Sequence, residues 1–321
     1  MDWNGRKILV TGGAGFLGSN LCHALAARGA RVTALDGFLF GGGANPANLE
    51  GSGVELVRAD IREIDLRNLC EGVDVIYNLA AQTSHMGGQR DPLADIAVNA
   101  VAQVRLIQAA REAAPGAIVV HASTRQFYGR PHYLPVDEEH PVNPPDANGV
   151  SKFAGEQYWM IEHRTAGRPV VSLRLTNCYG PRLRIRDARQ TFLGIWLRCV
   201  LEGKPFEVWG GDQLRDMTYV DDVTAAFLAA AAPACHGRVF NIGGPPPASL
   251  LEIAGILAKL VPEAQFVTRE FPADRATIDI GSYHANDTAF RAATGWAPLV
   301  GLEEGIGRSL AWYRERLGQY L

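Results

Sequence analysis

The chain has little of what would tie a protein to a metal, a membrane or a nucleic acid. Its 321 residues include only five cysteines (Cys22, Cys70, Cys178, Cys199, Cys235), odd in number, widely scattered and without a CxxC pair. They read as reduced thiols in packing positions, not as a disulfide framework or a thiolate metal site. The eight histidines show no ligand spacing, so no metal is expected. Positive charge is not in excess: the formal net charge is -3, which leaves no basic field for nucleic acid. A phosphorylated ligand must then be met by locally placed arginines. No uncharged apolar stretch reaches membrane-spanning length, so no membrane partner is expected. A strand-like run begins at Lys7, which leaves no room for a signal peptide, and a cytoplasmic location is expected. Internal repeats, low-complexity tracts and a flexible linker are missing too, so the parts of the chain should pack as one body. What the chain does have is apolar residues, 47% of the total, enough at this length to bury one large domain or two interleaved ones.

The most informative stretch is the first thirty-odd residues. Lys7 to Thr11 is a short apolar run. It meets Gly12-Gly13-Ala14-Gly15-Phe16-Leu17-Gly18, then a helix-like run to about Gly29, then a second apolar run from Arg31 to Leu35 closing on Asp36. Strand, tight turn, helix and parallel strand is the order of a dinucleotide site. Gly13-x-Gly15-x-x-Gly18 fits the fingerprint, with a turn, a close approach of backbone to a pyrophosphate, and close helix packing. The pyrophosphate would sit at the helix N-terminus, where unpaired N–H groups and the helix dipole favour an anion. Asp36 stands where a carboxylate accepts bonds from an adenosine ribose. NAD is favoured over NADP, because a 2′-phosphate would be repelled by Asp36 and Gly37-Phe38-Leu39 offers no arginine to hold it.

Further apolar runs follow at Val54–Val57, Asp74–Leu79, Ala117–Val120 and Val170–Leu175, alternating with helical patterns at Asp91–Ala113 and Asn148–Thr165. Such alternation predicts an α/β fold, a Rossmann doubly wound parallel sheet whose ligands lie beyond the carboxyl ends of its strands. Asp60, Ala80 and Ala81, and Ser123 and Thr124 all fall at such ends. From about Arg182 the pattern loosens into a helix at Ala188–Glu202, a strand at Phe206–Trp209, a helix at Asp221–Ala232, a strand at Arg238–Ile242 and three more helices. The expected division is a dinucleotide-binding domain over 1–181, with a return at 218–243, and a smaller, interleaved C-terminal substrate-binding domain over 182–321.

Several motifs run in order along nearly the whole chain. They are Thr11-Gly-Gly-Ala-Gly-Phe-Leu-Gly18, Asp60-Ile61, Asn78-Leu-Ala-Ala81, Ser123-Thr124 followed by Tyr128-Gly129, Lys152, Asn177-Cys-Tyr-Gly-Pro181 and Arg215-Asp-Met-Thr-Tyr-Val-Asp221. The set resembles the extended short-chain dehydrogenase/reductase family, and within it the nucleotide-sugar epimerases and dehydratases. The resemblance implies NAD contacts from Gly12, Gly15, Phe16, Leu17, Asp36, Asp60, Ile61, Ala80, Ala81, Asn99 and Lys152. It implies contacts to the diphosphate of a nucleotide sugar from Asn177, Arg215 and Arg275, chemistry that suits arginine's planar fork. The cluster Arg182, Arg184, Arg186 reads equally as phosphate ligands or as surface charge. A homodimer is expected from the resemblance and from the two long amphipathic helices, whose second faces need cover.

Two departures bear on the chemistry. Members of the family remove the substrate's hydroxyl proton with a tyrosine four residues before the lysine, and here that position is Asn148. An amide is not a base near neutrality. The substitutes are His85 in the Met86-Gly87-Gly88 loop, Tyr128, and Lys152 itself, of which Lys152 is favoured. The residues after Thr124 are Arg125 and Gln126, where related dehydratases carry an Asp-Glu pair and related decarboxylases a glutamate. Neither supplies the acid/base couple of an elimination, so 4,6-dehydration is disfavoured. Arg125 either binds an anionic group on the sugar, such as a carboxylate, or pairs with Asp137 or a neighbouring acid.

The leading expectation is an NAD-dependent epimerase of a nucleotide-diphosphate sugar working through a transient ketone. Thr124 would hold the reacting oxygen, Lys152 would bind the nicotinamide ribose and favour the alkoxide, and Asn148 would orient the substrate, with His85 and Arg125 on the substrate side. Net oxidation or decarboxylation through the same ketone stands as an alternative. So does a non-catalytic protein that binds NAD and nucleotide sugar.

Overall fold

The computed structural model describes residues 1–39, 42–187, 191–272 and 279–321. The apolar runs form β1 (Lys7–Thr11), β2 (Arg31–Asp36), β3 (Glu55–Arg58), β4 (Val75–Asn78), β5 (Ile118–Thr124) and β6 (Val170–Leu175). With the strand Arg238–Ile242 they make one seven-stranded sheet in the order Arg238–Ile242, β6, β5, β4, β1, β2, β3. Every neighbouring pair in it is parallel. β4 and β6 are buried at every residue, as strands covered by helices on both faces must be. Successive side chains point to opposite faces, so Ile8 and Val10 enter one core with Leu21, Tyr77 and Phe227. Leu9 enters the other with Leu35, Leu106 and Trp159.

The order reverses between β1 and β4, and the crevice beyond that point is where sheets of this kind take ligands. Thr11 closes its floor. The hydroxyl donates to Asn78 Oδ1 at 2.8 Å and accepts from the N–H groups of Leu79 and Ala80 at 3.2 and 3.1 Å, which locks the ends of the two strands together.

The helices depart from the sequence pattern in ways that matter for the site. The predicted Asp91–Ala113 helix is built of Pro92–Ile96 and Ala102–Ala113 joined by a π-turn over Ala97–Val101, and Asn99 stands in that wider turn. His85 is not in a loop: it opens a short helix, His85–Arg90, whose start is capped by the Ser84 hydroxyl accepting from Gly87 N. The helix Ala147–Ala166 is capped by the Asp146 carboxylate on Gly149 N and stopped by Gly167 in the left-handed region.

After Arg182, the helix Phe192–Leu201 and the strand Phe206–Trp209 stand where the sequence puts them, the first residues of the predicted helix (188–190) lying outside the described ones. A strand at Phe266–Arg269, not read from the sequence, pairs in parallel with Phe206–Trp209. Its residues are mostly exposed, so it carries no apolar alternation to betray it. Helices Leu250–Leu260 and Leu302–Arg314 close a third core around Trp196, Leu197, Phe206, Ile253 and Tyr313. Among the described residues no helix is long and apolar enough to cross a membrane.

Candidate active site

The turn after β1 is packed so closely that two of its glycines leave no room for a side chain. Gly12 has φ +68°, and a Cβ there would stand 2.8 Å from the carbonyl carbon of Leu79. At Gly18 a Cβ would run into the carbonyl oxygen of Gly12. The helix Phe16–Ala26 starts from Gly15 with no side-chain cap and no acidic residue in its first turn, so its leading N–H groups and dipole are available to an anion. Asp36 ends β2 beside this turn, accepting from Ala14 N at 3.1 Å and Phe38 N at 3.0 Å. Burial raises its pKa against the pull of those N–H groups. The neighbouring strand does bring a cation, Arg58, into register with Asp36, but its guanidinium lies over the Phe38 ring at 4.8 Å. The glycine turn, the uncapped helix start and the carboxylate at the end of β2 fit NAD.

Other residues of the expected cofactor set have protein partners of their own. Asp60 is gripped by the Arg62 fork, at 3.0 and 3.0 Å from Nε and 2.6 Å from Nη2, and Arg62 holds its carboxyl below the usual range. The Ile61 side chain turns into the core. Ala80 presents its N–H to Thr11, and Ala81 is exposed. Asn99 Oδ1 accepts from Gln82 N at 2.9 Å while its Nδ2 donates to Gln82 O at 3.3 Å and Asp95 Oδ1 at 3.1 Å, pinning the loop after β4.

At the end of β5, Thr124 Oγ1 accepts from Gln126 N at 3.2 Å, which leaves its own proton free to donate outward. Asn148 is almost fully buried. Its Nδ2 donates to Gln82 O at 3.0 Å and to Asp95 Oδ2 at 2.9 Å, and because both partners are acceptors the amide nitrogen must face them. Asn148 thus ties its helix to the loop after β4 and to a wholly buried carboxylate. One turn further, the Lys152 ammonium has no hydrogen-bond partner among the described residues. Burial lowers its pKa to about 8, opposed by the charges of Asp95 and Asp146.

His85 Nδ1 lies 2.9 Å from Asp146 Oδ2. Asp146 also accepts from Gln126 Nε2 at 3.1 Å and Gly149 N at 2.7 Å. Burial alone would raise its carboxyl pKa, but these partners hold it below the usual range. Tyr128 does not face this cleft. It is fully buried, donates to Asn241 Oδ1 at 2.9 Å, accepts from Arg174, and burial pushes its pKa up to about 12, which removes it as a base.

Arg125, Asn177 and Arg215 lie near one another, Arg125 bonded to Asn177 and its charge felt by Arg215. Arg125 donates to Asn177 Oδ1 at 3.1 Å and stacks over Tyr283 at 4.8 Å, while its Nη1 is buried without a hydrogen-bond partner among the described residues. Asp137 is not its partner, being engaged by Tyr133 and by Glu139 N; the acid that Arg125 senses most is Asp216. Burial, then the charge of Arg125, lowers the Arg215 pKa to about 10. Two of the three clustered arginines are committed to the protein: Arg182 to Asn48 O and Asn20 Oδ1, Arg184 to Asp187 and Gly42 O. Arg275 lies outside the described residues. Asp95 and Asp146 were missed from the sequence. Asp146 carried a signal as a helix N-cap, but Asp95 carried none.

A doubly wound parallel sheet with a dinucleotide turn at its switch point, a threonine at the end of β5 and a buried lysine on the helix of residues 147–166 define a nicotinamide-dependent enzyme of the short-chain dehydrogenase/reductase type. The family model of the NAD dependent epimerase/dehydratase family matches residues 8–243, and the chain belongs to that family. Among its relatives is the UDP-glucose 4-epimerase of Mycolicibacterium smegmatis, 34% identical over 97% of this chain and 99% of that one. UDP-glucuronic acid decarboxylase 1 of Xenopus tropicalis is 29% identical over 97% of this chain and 73% of its own length. The crystal structure of a UDP-glucose 4-epimerase from Thermotoga maritima with UDP-glucose superposes with a TM-score of 0.87 at 26% identity, covering 97% and 99% of the two chains. The protein is an NAD-dependent enzyme that modifies a nucleotide sugar.

Proposed function

We propose that the enzyme epimerises a ring carbon of a nucleotide-diphosphate sugar through a transient ketone, the reaction carried by the M. smegmatis and T. maritima relatives in their names. The observations that carry this reading are a Thr124 hydroxyl at the end of β5 whose only hydrogen bond among the described residues is one it accepts, and a buried Lys152 ammonium on the helix of residues 147–166 with no hydrogen-bond partner among them. When bound, NAD supplies the oxidant that takes up the carbon's hydrogen with its electron pair and returns it. Thr124 holds the reacting oxygen, and Lys152 binds the nicotinamide ribose and favours the alkoxide by its charge. Gly12, Gly15, Phe16, Leu17 and Asp36 hold the cofactor. Arg215, Asn177 and Arg275 hold the diphosphate, in a substrate-binding part beginning near residue 182.

A second reading, decarboxylation or net oxidation, has one observation behind it: the buried, unpaired Nη1 of Arg125 suits a carboxylate on the sugar. A turnover panel of UDP-, TDP-, GDP- and CDP-sugars, neutral and acidic, separates the readings. Epimerisation gives interconverted sugars without accumulating NADH. Carbon dioxide release or stoichiometric NADH would replace it with the second reading, and tight binding without turnover would make the protein a non-catalytic binder.

We also propose a homodimer. Leu93 (79% exposed), Val101 (53%), Val150 (55%) and Ile161 (41%) leave an apolar face on the packed helices of residues 92–113 and 147–166. Light scattering at micromolar concentration should give twice the chain mass, and a monomer there would refute the idea. The five cysteines are free thiols, which supports a reducing, cytoplasmic setting.

A further inference from the structure

The family position for the proton-abstracting residue holds Asn148, and its amide is turned away into Asp95 and Gln82. Lys152 does not fill the gap well. With a pKa near 8 it is mostly charged at neutral pH, and a charged ammonium stabilises an alkoxide but accepts no proton.

The helix His85–Arg90 covers the Asn148 position. A Cβ on Gly88 would come within 3.3 Å of Asn148 Cβ and 2.6 Å of Asp95 Oδ2. At the start of this helix, His85 Nδ1 is buried at ion-pair distance, 2.9 Å, from Asp146 Oδ2, without a hydrogen bond of its own among the described residues, while 38% of the side chain stays accessible. Asp146 is wholly buried as a side chain and cannot swing away, being held by Gly149 N and Gln126 Nε2. Gln126 is bonded in turn to Thr124 Oγ1. The imidazole is therefore anchored to the same network as the threonine that holds the reacting oxygen.

Resting on the epimerase reading above, we propose that His85, oriented by Asp146, is the general acid and base that stands in for the absent tyrosine. Electrostatic attraction to the carboxylate 2.9 Å away favours the tautomer with its proton on Nδ1, which leaves the lone pair on Nε2. In the forward step the substrate O–H bond breaks and its proton goes to Nε2. With NAD bound as the oxidant, the electron pair left on oxygen would close the C=O bond as the carbon's hydrogen leaves with its bonding pair, which NAD would accept. In the return step Nε2 gives the proton back to the same oxygen. Lys152 keeps its charge throughout, and Asp146 is a positioning residue that also steadies the imidazolium.

Other charged groups are carried by the elements packed on His85: Asp91 and Asp95 beside it, Lys152 and Glu156 on the helix of residues 147–166, and Arg90 on its own. Asp146 alone is within ion-pair distance of the ring among the described residues.

The test uses the NAD-loaded protein and a turned-over nucleotide sugar. His85→Ala should lose on the order of a hundredfold or more in kcat, with NAD content and nucleotide-sugar affinity by calorimetry kept within about threefold, an effect too small to register as a lost hydrogen bond. Added imidazole should restore turnover, and a series of substituted imidazoles should rescue in step with their basicity, a response that a merely structural role would not give. Asp146→Asn, which preserves the helix cap, should lower kcat about tenfold, the order expected for loss of one charge-assisted bond, while leaving KM in place. A His85→Ala variant within fivefold of the parent would overturn the proposal, as would a dead variant deaf to imidazole with weakened sugar binding. A second readout needs no turnover: carbethoxylation of His85 by diethyl pyrocarbonate, followed by mass spectrometry, should be slowed by UDP-glucose or by the best-binding sugar of the panel. If no sugar is turned over, the epimerase reading falls by itself. Protection of His85 then still supports its place at the sugar, and unprotected modification overturns it.

Discussion

Lys152→Met should reduce turnover on the order of a hundredfold or more, because one substitution removes both a ribose contact and the charge that stabilises the alkoxide. The lysine is buried near the carboxylates of Asp95 and Asp146 without a hydrogen-bond partner among the described residues, so its ammonium is not committed to a protein hydrogen bond there. Asn148→Ala should cost only about tenfold, the scale of one lost hydrogen bond, through loosening of the Gln82 loop and of Asp95. A Lys152→Met variant with near-parental kcat would remove the lysine from the mechanism. The wild-type pH profile gives an independent check. Since the charged form is the working one, the rate should fall as pH rises through about 8. Stability should move the other way. The folded pKa lies below the unfolded one, so between about 8 and the ordinary lysine value of 10.5 the unfolded chain binds more protons, and the unfolding free energy contributed by Lys152 rises with pH. Opposite slopes of rate and stability over this window would mark the lysine's charge as held against its own burial.

Gly18→Ala should yield protein without NAD. The added methyl points at the carbonyl oxygen of Gly12 and at the Cα of Gly13, backbone on both counts, with no flexible side chain to give way. Either the helix Phe16–Ala26 lifts from the turn or the turn opens, and each displaces the N–H groups that would receive the pyrophosphate. Overpacking of this kind costs about 1–3 kcal/mol. Extraction of the denatured variant should release no dinucleotide, and its thermal midpoint should lie below the parent's and not move when NAD is added. A variant that carries NAD at the parent's stoichiometry would show that close packing at Gly18 is not what holds the dinucleotide turn in shape.

What the sequence determined by itself about this protein is whatever depends on residues near one another in the chain. The glycine turn and Asp36 follow from spacing over thirty residues, and the parallel sheet from apolar runs alternating with helical periods. The strands Val170–Leu175 and Arg238–Ile242 are found at the residues where the pattern puts them. Local signals run out where the partner is remote. Asn148 sits 53 residues from Asp95, and His85 is 61 from Asp146, so nothing in either neighbourhood announces that an amide will be turned inward or a histidine backed by a carboxylate. Arg182 and Arg184 read from sequence as an open basic cluster. Only the packing of the chain after residue 182 against the turns near Asn20, Gly42 and Asn48 gives them carbonyl and amide partners instead of phosphate. The strand Phe266–Arg269 exists because Phe206–Trp209 offers it an edge, and an exposed edge strand needs no apolar pattern to pair. Periodicity and turn chemistry are written along the chain. The directions of buried polar side chains are set by which donors and acceptors tertiary packing brings within about 3 Å, since an unpaired polar group in the interior is costly.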